Sequence, residues 1–162
     1  MLIRSMVRAD FPSIKSIYQQ GIDTGHATFQ VEANDWDEWD ISTMSVCRLV
    51  SVIENNVVAW AALSAISSRC VYVGRAEVSI YVDEQHRGTG IGSSLLKGLI
   101  KSSEEEGIWS LEASIFPENK ASLSIHKKNG FIVVGLREKL GKMNNHWRDL
   151  ILMERRSLIV GI

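Results

Sequence analysis

The segment Arg87-Gly88-Thr89-Gly90-Ile91-Gly92-Ser93 constrains this chain more than any other. It follows an apolar β run and opens an amphipathic helical pattern, so the backbone must reverse through glycines at every second position. Alternating glycines permit left-handed φ values and let several N–H groups point one way. The free amides and positive dipole end of the following helix add to them, forming a cradle for phosphate or pyrophosphate. The plainer alternative is a glycine-rich connection with no ligand. A Walker loop would need Gly-Lys-Ser/Thr, whereas Gly92 is followed by Ser93-Ser94. A dinucleotide fingerprint counted from Gly88 meets Ser93 where its third glycine belongs, and Asp83 to Arg87 separate strand from glycines. Glu112 stands about where a ribose-binding acid would, which keeps an oxidoreductase among the alternatives.

The elements around this turn alternate in type. Leu2 to Met6 reads as an opening strand. Asp10 reads as a helix cap with Pro12 in the first turn, Ile14, Ile17 and Tyr18 on one face, and Gly21 at the end. Thr24 to Phe29 is a loop. Asn34 or Asp35 is placed to cap a second helix with Trp36, Trp39 and Ile41 near one face. Arg48–Ile53 and Val57–Leu63 flank Glu54-Asn55-Asn56, a hairpin signal. Arg75–Val82 is a strand, Gly90–Glu106 a helix with Ile91, Leu95, Leu96, Leu99 and Ile100 inward, and Leu111–Ile115 a strand. Asn119–Asn129 is a helix stopped by Gly130. Phe131–Val134 and Trp147–Met153 close the chain as strands. The order β-α-α-β-β-β-α-β-α-β-β predicts a mixed α/β (α+β) sheet with helices packed on it.

Composition narrows the partners. Lys and Arg number 18 against 19 Asp and Glu, a net charge of −1, so bulk attraction to nucleic acid or an anionic membrane is not expected. Cys47 and Cys70 fit neither a disulfide framework nor metal-ligand spacing. They read as small buried residues in a reducing compartment, and no metal is expected. No secretory signal or membrane-length apolar run is visible, so the expectation is one cytoplasmic domain over residues 1–162.

Arg87, Gly90 and Gly92 meet the pattern Arg-x-x-Gly-x-Gly, which resembles the CoA-binding turn of the GNAT superfamily of N-acetyltransferases. Asn119 to Phe131, an Asn-opened helix ending in Gly-Phe, resembles the second signature of that superfamily. More narrowly, Ala76–Val82, the loop bearing Thr24, Ala27, Thr28 and Phe29, and the tail with Lys142, Trp147, Asp149 and Met153 are similar to phosphinothricin N-acetyltransferase-like proteins. The resemblance covers roughly Ile3 to Glu154. It implies a mostly antiparallel sheet of about seven strands with a splayed central pair, flanked by about four helices. It also implies acetyl transfer from acetyl-CoA to the α-amine of a small amino acid or analogue, such as phosphinothricin or methionine sulfoximine. Similar proteins are often dimers.

Site roles follow from the same resemblance. Backbone groups of Ile80, Tyr81 and Val82 would pair with the pantetheine arm. Arg87, Gly88, Thr89, Gly90, Ile91, Gly92 and Ser93 would hold the pyrophosphate. Asn119 would bond the arm or cap its helix, and Lys128 would reach a CoA phosphate or remain solvated. Glu77, about 17 Å upstream of Val82 in an extended chain, is the candidate base. Its alternative is a strand-face Glu paired with Arg75 or another cation. His126 would protonate the leaving thiolate, or is a packed helix residue. Arg69, Tyr72, Val73 and Arg75 lie where related proteins carry acceptor-binding groups, with Val73 replacing an expected polar residue. Phe29 would supply an apolar wall. A CoA-binding regulatory module without turnover, and an acetyltransferase for polyamines or protein, are the competing functions.

Overall fold

The computed structural model describes residues Met1–Ile162. Seven strands form one sheet in the order β1-β2-β3-β4-β5-β7-β6. They are β1 (Leu2–Ser5), β2 (Leu49–Ile53), β3 (Asn56–Ala65), β4 (Arg75–Val82), β5 (Ser110–Ile115), β6 (Ile132–Met143) and β7 (His146–Arg156). Four helices flank them: α1 (Phe11–Asp23), α2 (Trp36–Ser42), α3 (Ile91–Glu105) and α4 (Lys120–Lys128). All strand pairs are antiparallel except β4 and β5, which α3 connects.

The centre of the sheet is β3, whose apolar run is continuous because both faces are covered. Ala59, Ala61 and Leu63 join the side chains of α3, while Trp60 and Ala62 join Phe11, Ile14 and Ile17 of α1 and Trp39 of α2. Leu95, Leu96 and Leu99 of α3 are fully buried against the sheet, as their spacing predicts.

The parallel pair is unusually short. β4 meets β5 only at Arg75↔Ser110, Ala76↔Leu111 and Glu77↔Glu112. Beyond Glu77 the strands part, while β4 stays paired with β3 through Val82. This is the splayed central pair. Its widening end is bounded by α3 and α4, joined where Asn129 Nδ2 donates to Ser93 Oγ at 3.0 Å.

Several local expectations change. Gly21 does not end α1; it lies inside the helix, where a Cβ would come within 2.6 Å of the Tyr81 ring. The Asp10 carboxylate does not cap α1; it accepts from Val7 N at 2.8 Å and pairs with Arg4. Asp35 occupies the position before α2, but its carboxylate goes to Lys15. Ile41 faces solvent, as does Cys70, so only Cys47 is the buried thiol expected. The last two strands extend well past their apolar cores because Asn144 and Asn145, both at positive φ, close a tight hairpin. The earlier hairpin turns likewise on Glu54 and Asn55.

Leu96→Ala removes a fully buried side chain between α3 and the sheet, so it should cost about 2–5 kcal/mol. Urea unfolding should show a lower midpoint with an unchanged slope.

Candidate active site

A cleft of about 1220 Å3 occupies the widening gap between β4 and β5. One end is the glycine turn. Gly88 and Gly90 sit at φ +75° and +86°, values costly for other residues, with open space where a Cβ would be. Gly92 has ordinary backbone angles and serves packing, since a Cβ there would press on Ile125 and Val82. Ile91 is buried and anchors the helix start. None of the backbone N–H groups from Gly88 to Ser93 has a protein acceptor; the first helical bond is Ser94 N to Gly90 O. Six amides at a helix N-terminus thus form an anion cradle. Arg87 lines the cleft with its Nε on Val82 O, while the Thr89 hydroxyl turns back to His86 O and lies outside the lining.

The wall between the turn and the fork is β4. Ile80, Tyr81 and Val82 line the cleft, and the β4 edge facing the gap has no strand partner beyond Glu77. Tyr81 is held by stacking on Trp60 at 5.0 Å and by edge contact with Tyr18 at 4.9 Å. Burial pushes its phenol far above the usual range, so it stays neutral.

Glu77 stands at the fork. Its neighbour Glu112 is paired with Arg75 at 3.0 Å, which leaves Glu77 without a salt bridge. The Glu77 side chain is open to cleft solvent, yet it sits at the bottom of a concavity. That burial pushes its carboxyl above the usual range, the Glu112 charge adds to the shift, and Arg137 opposes it. The expected alternative pairing with Arg75 is therefore absent, because Glu112 occupies it.

On the opposite wall, Asn119 caps α4: its Oδ1 accepts from Ser122 N and its Nδ2 donates to His26 O. His126 borders the cleft but is only 2% exposed. Its Nδ1–H donates to Ser122 O at 2.7 Å, and burial pushes its pKa down. A neutral ring with its one proton committed suits packing better than proton donation. Lys128 lies at the far end of α4, outside the cleft, whereas Lys120 of the first turn lines it.

The acceptor end departs further from expectation. Phe29 lines the cleft, edge-on to Phe116 at 5.0 Å. Arg69, Tyr72, Val73 and Arg75 do not line it. Both guanidiniums stack on the Tyr72 ring, Arg75 is engaged by Glu112, and Val73 is exposed. The walls instead include Tyr18, Trp39 and Trp60, together with Gly141 and Leu150 from the last hairpin. Their sequence signal was that of core residues, because only the sheet order brings them here.

The chain matches the family model for the acetyltransferase (GNAT) domain over residues 3–152. A Bacillus subtilis protein, named provisionally as a phosphinothricin acetyltransferase, is 35% identical over 161 residues, covering 96% of this chain and 98% of its own. The L-methionine sulfoximine/L-methionine sulfone acetyltransferase of Pseudomonas aeruginosa is 27% identical, covering 94% of this chain and 92% of its own. Among solved structures, the Sinorhizobium meliloti phosphinothricin acetyltransferase in complex with acetyl-CoA superposes with a TM-score of 0.87 at 28% identity. That match covers 96% of this chain and 87% of the other. With its sheet parted beside a glycine cradle and the family model spanning nearly its whole length, this chain belongs to the GNAT acetyltransferase family.

Proposed function

We propose that this chain, acting as a single unit over residues 1–162, transfers an acetyl group from acetyl-CoA to the α-amine of a small amino acid or analogue. The acceptor class is that of phosphinothricin and methionine sulfoximine or sulfone. The observation that carries the reading is the opening between β4 and β5, with six unpartnered amides at one end and a carboxylate without a salt bridge at the other. The relatives named for these substrates support it.

The amides of Gly88 to Ser93 bind the pyrophosphate, and the unpaired edge of β4 takes the extended arm as a strand would be taken. Glu77, directly or through water, accepts the ammonium proton. The freed nitrogen then attacks the thioester carbon; as the tetrahedral intermediate collapses, the carbon–sulfur bond breaks and the nitrogen gives its second proton to water in the cleft, leaving the amide. The thiolate takes a proton from solvent in the cleft, since His126 is neutral with its Nδ1–H committed. No metal enters the reading.

The reading extends to assembly and location. Ile132, Val133, Val134 and Leu136 on the edge strand β6, with Trp147, are an exposed apolar strip that a second copy would cover. No helix is long and apolar enough to cross a membrane, in keeping with a cytoplasmic enzyme.

The direct test is thiol release from acetyl-CoA across phosphinothricin, methionine sulfoximine, methionine sulfone, free amino acids, polyamines and peptides. Amino-acid analogues should be fastest; a preference for spermidine or peptide would overturn the acceptor class, and binding without turnover would leave a regulatory module. Gly90→Val forces a β-branched residue to φ +86°. It should weaken acetyl-CoA binding at least ~10-fold in a protein of unchanged far-UV spectrum.

Glu77→Gln should lower kcat ~100-fold or more while leaving acetyl-CoA affinity nearly unchanged. The wild-type rate should fall as pH drops through the raised Glu77 pKa, because the base is then protonated. The variant should lack that limb, and an unaltered profile would make Glu77 structural.

Arg69 and Arg75 lie outside the cleft, with Arg75 held by Glu112, so Arg69→Ala and Arg75→Ala should each leave discrimination between an acceptor acid and its carboxyl amide within about twofold of wild type. A variant that loses that discrimination would return the carboxylate to its guanidinium.

A further inference from the structure

The loop from Gly25 to Phe29 has no regular structure, yet it forms one wall of the cleft through His26, Ala27, Thr28 and Phe29. One side chain from a distant strand makes two hydrogen bonds to it. Arg148, on β7, donates through Nη1 to Gly25 O at 2.8 Å and through Nη2 to His26 Nδ1 at 3.0 Å. The same Nη2 reaches Glu118 at 3.4 Å, and Nη1 contacts the Met143 sulfur. The guanidinium lies over the Phe116 ring at 4.1 Å, and that ring meets Phe29 edge-on. The Arg148 side chain is only 15% exposed and is not itself part of the cleft lining.

Directly across the hairpin from Arg148 is Gly141. A Cβ there would stand 2.7 Å from the tip of the Phe29 ring. One register position of the β6–β7 hairpin thus does two things to the loop. Gly141 leaves the space that the ring occupies, and Arg148 fixes the backbone that carries the ring. Asn119 adds a third tie through its bond to His26 O.

We propose that Arg148 is a positioning residue for the amine acceptor: with Gly141 it seats the Gly25–Phe29 loop as the wall against which the acceptor side chain packs. This rests on the reading of the cleft as an acetyl-acceptor site. A planar fork satisfies the requirement where a point charge does not, because the group must bridge a carbonyl, an imidazole nitrogen and a carboxylate while lying flat on an aromatic ring.

The test has a kinetic arm and an arm independent of turnover. In Arg148→Ala and Gly141→Ala, amide hydrogen exchange over residues 24–30 should accelerate, with residues 88–93 unchanged. Acceptor KM should rise ~10-fold or more, acetyl-CoA Kd should stay within about twofold, and preference between long and short acceptor side chains should shift. Arg148→Lys should fail to restore either property. Should Arg148→Ala not fold, Arg148→Met keeps the stem over Phe116 and takes its place. Unchanged exchange in a folded variant overturns the proposal, as does altered exchange with unaltered acceptor KM and selectivity. A wild-type protein that binds acetyl-CoA but acetylates no amine overturns the acceptor reading and the acceptor role of Arg148 with it. The exchange arm still decides whether Arg148 holds the loop.

Discussion

A parallel strand pair that parts after three residue pairs leaves backbone donors and acceptors without partners inside a protein, and the rest of this structure is arranged around that fact. Backbone polar groups withdrawn from water cost about 1–3 kcal/mol each when unpaired, so a sheet does not open without support. Here the support comes from both faces. β4 remains laddered to β3 through Val82, and β3 is buried on both sides by α1, α2 and α3. α3 and α4 close the wide end through the Asn129–Ser93 bond, with no room for a side chain at Gly92 beside Ile125. These contacts set the width of the gap, along which the β4 edge has no strand partner beyond Glu77.

The same parting sets the electrostatics of the fork. Glu77 and Glu112 are register partners, so two carboxylates stand side by side at the last paired position. Only one cation, Arg75, is within ion-pair reach, and it takes Glu112. The other carboxyl is left in a concavity beside a like charge, which is how a carboxyl acquires an elevated pKa. His126 shows the converse, since burial favours its neutral ring and outweighs the opposing hydrogen bond to the Ser122 carbonyl.

What the sequence disclosed, and what it did not, divides along physical lines. The glycine turn, the β4 strand and the α3 face were legible because each depends on local geometry or period. Gly88 and Gly90 hold positive φ, and Leu95, Leu96 and Leu99 share one helical face. Glu77 stood out as a charge in an apolar strand. The acceptor wall was not legible. Gly141, Leu150 and Trp60 come from strands far apart in the chain, and nothing local marks them as cleft residues. Arg75 was misplaced because its partner Glu112 lies on β5, and only the parallel register brings the two together. Gly21 has the local signal of a helix stop, whereas its actual reason, the Tyr81 ring, is a tertiary one.

That last contact has a bearing on how such a chain can diverge. The ring of Tyr81 occupies the volume that any side chain at position 21 would need, and Tyr81 also stacks on Trp60 in the wall of the cleft. The two positions consequently form one heritable unit. A lineage that gains helix propensity by replacing the glycine must first accept a smaller residue at 81, and in doing so it loosens the wall against which ligands lie. Neutral drift along α1 and change in ligand range are in this way tied together, although α1 carries none of the chemistry.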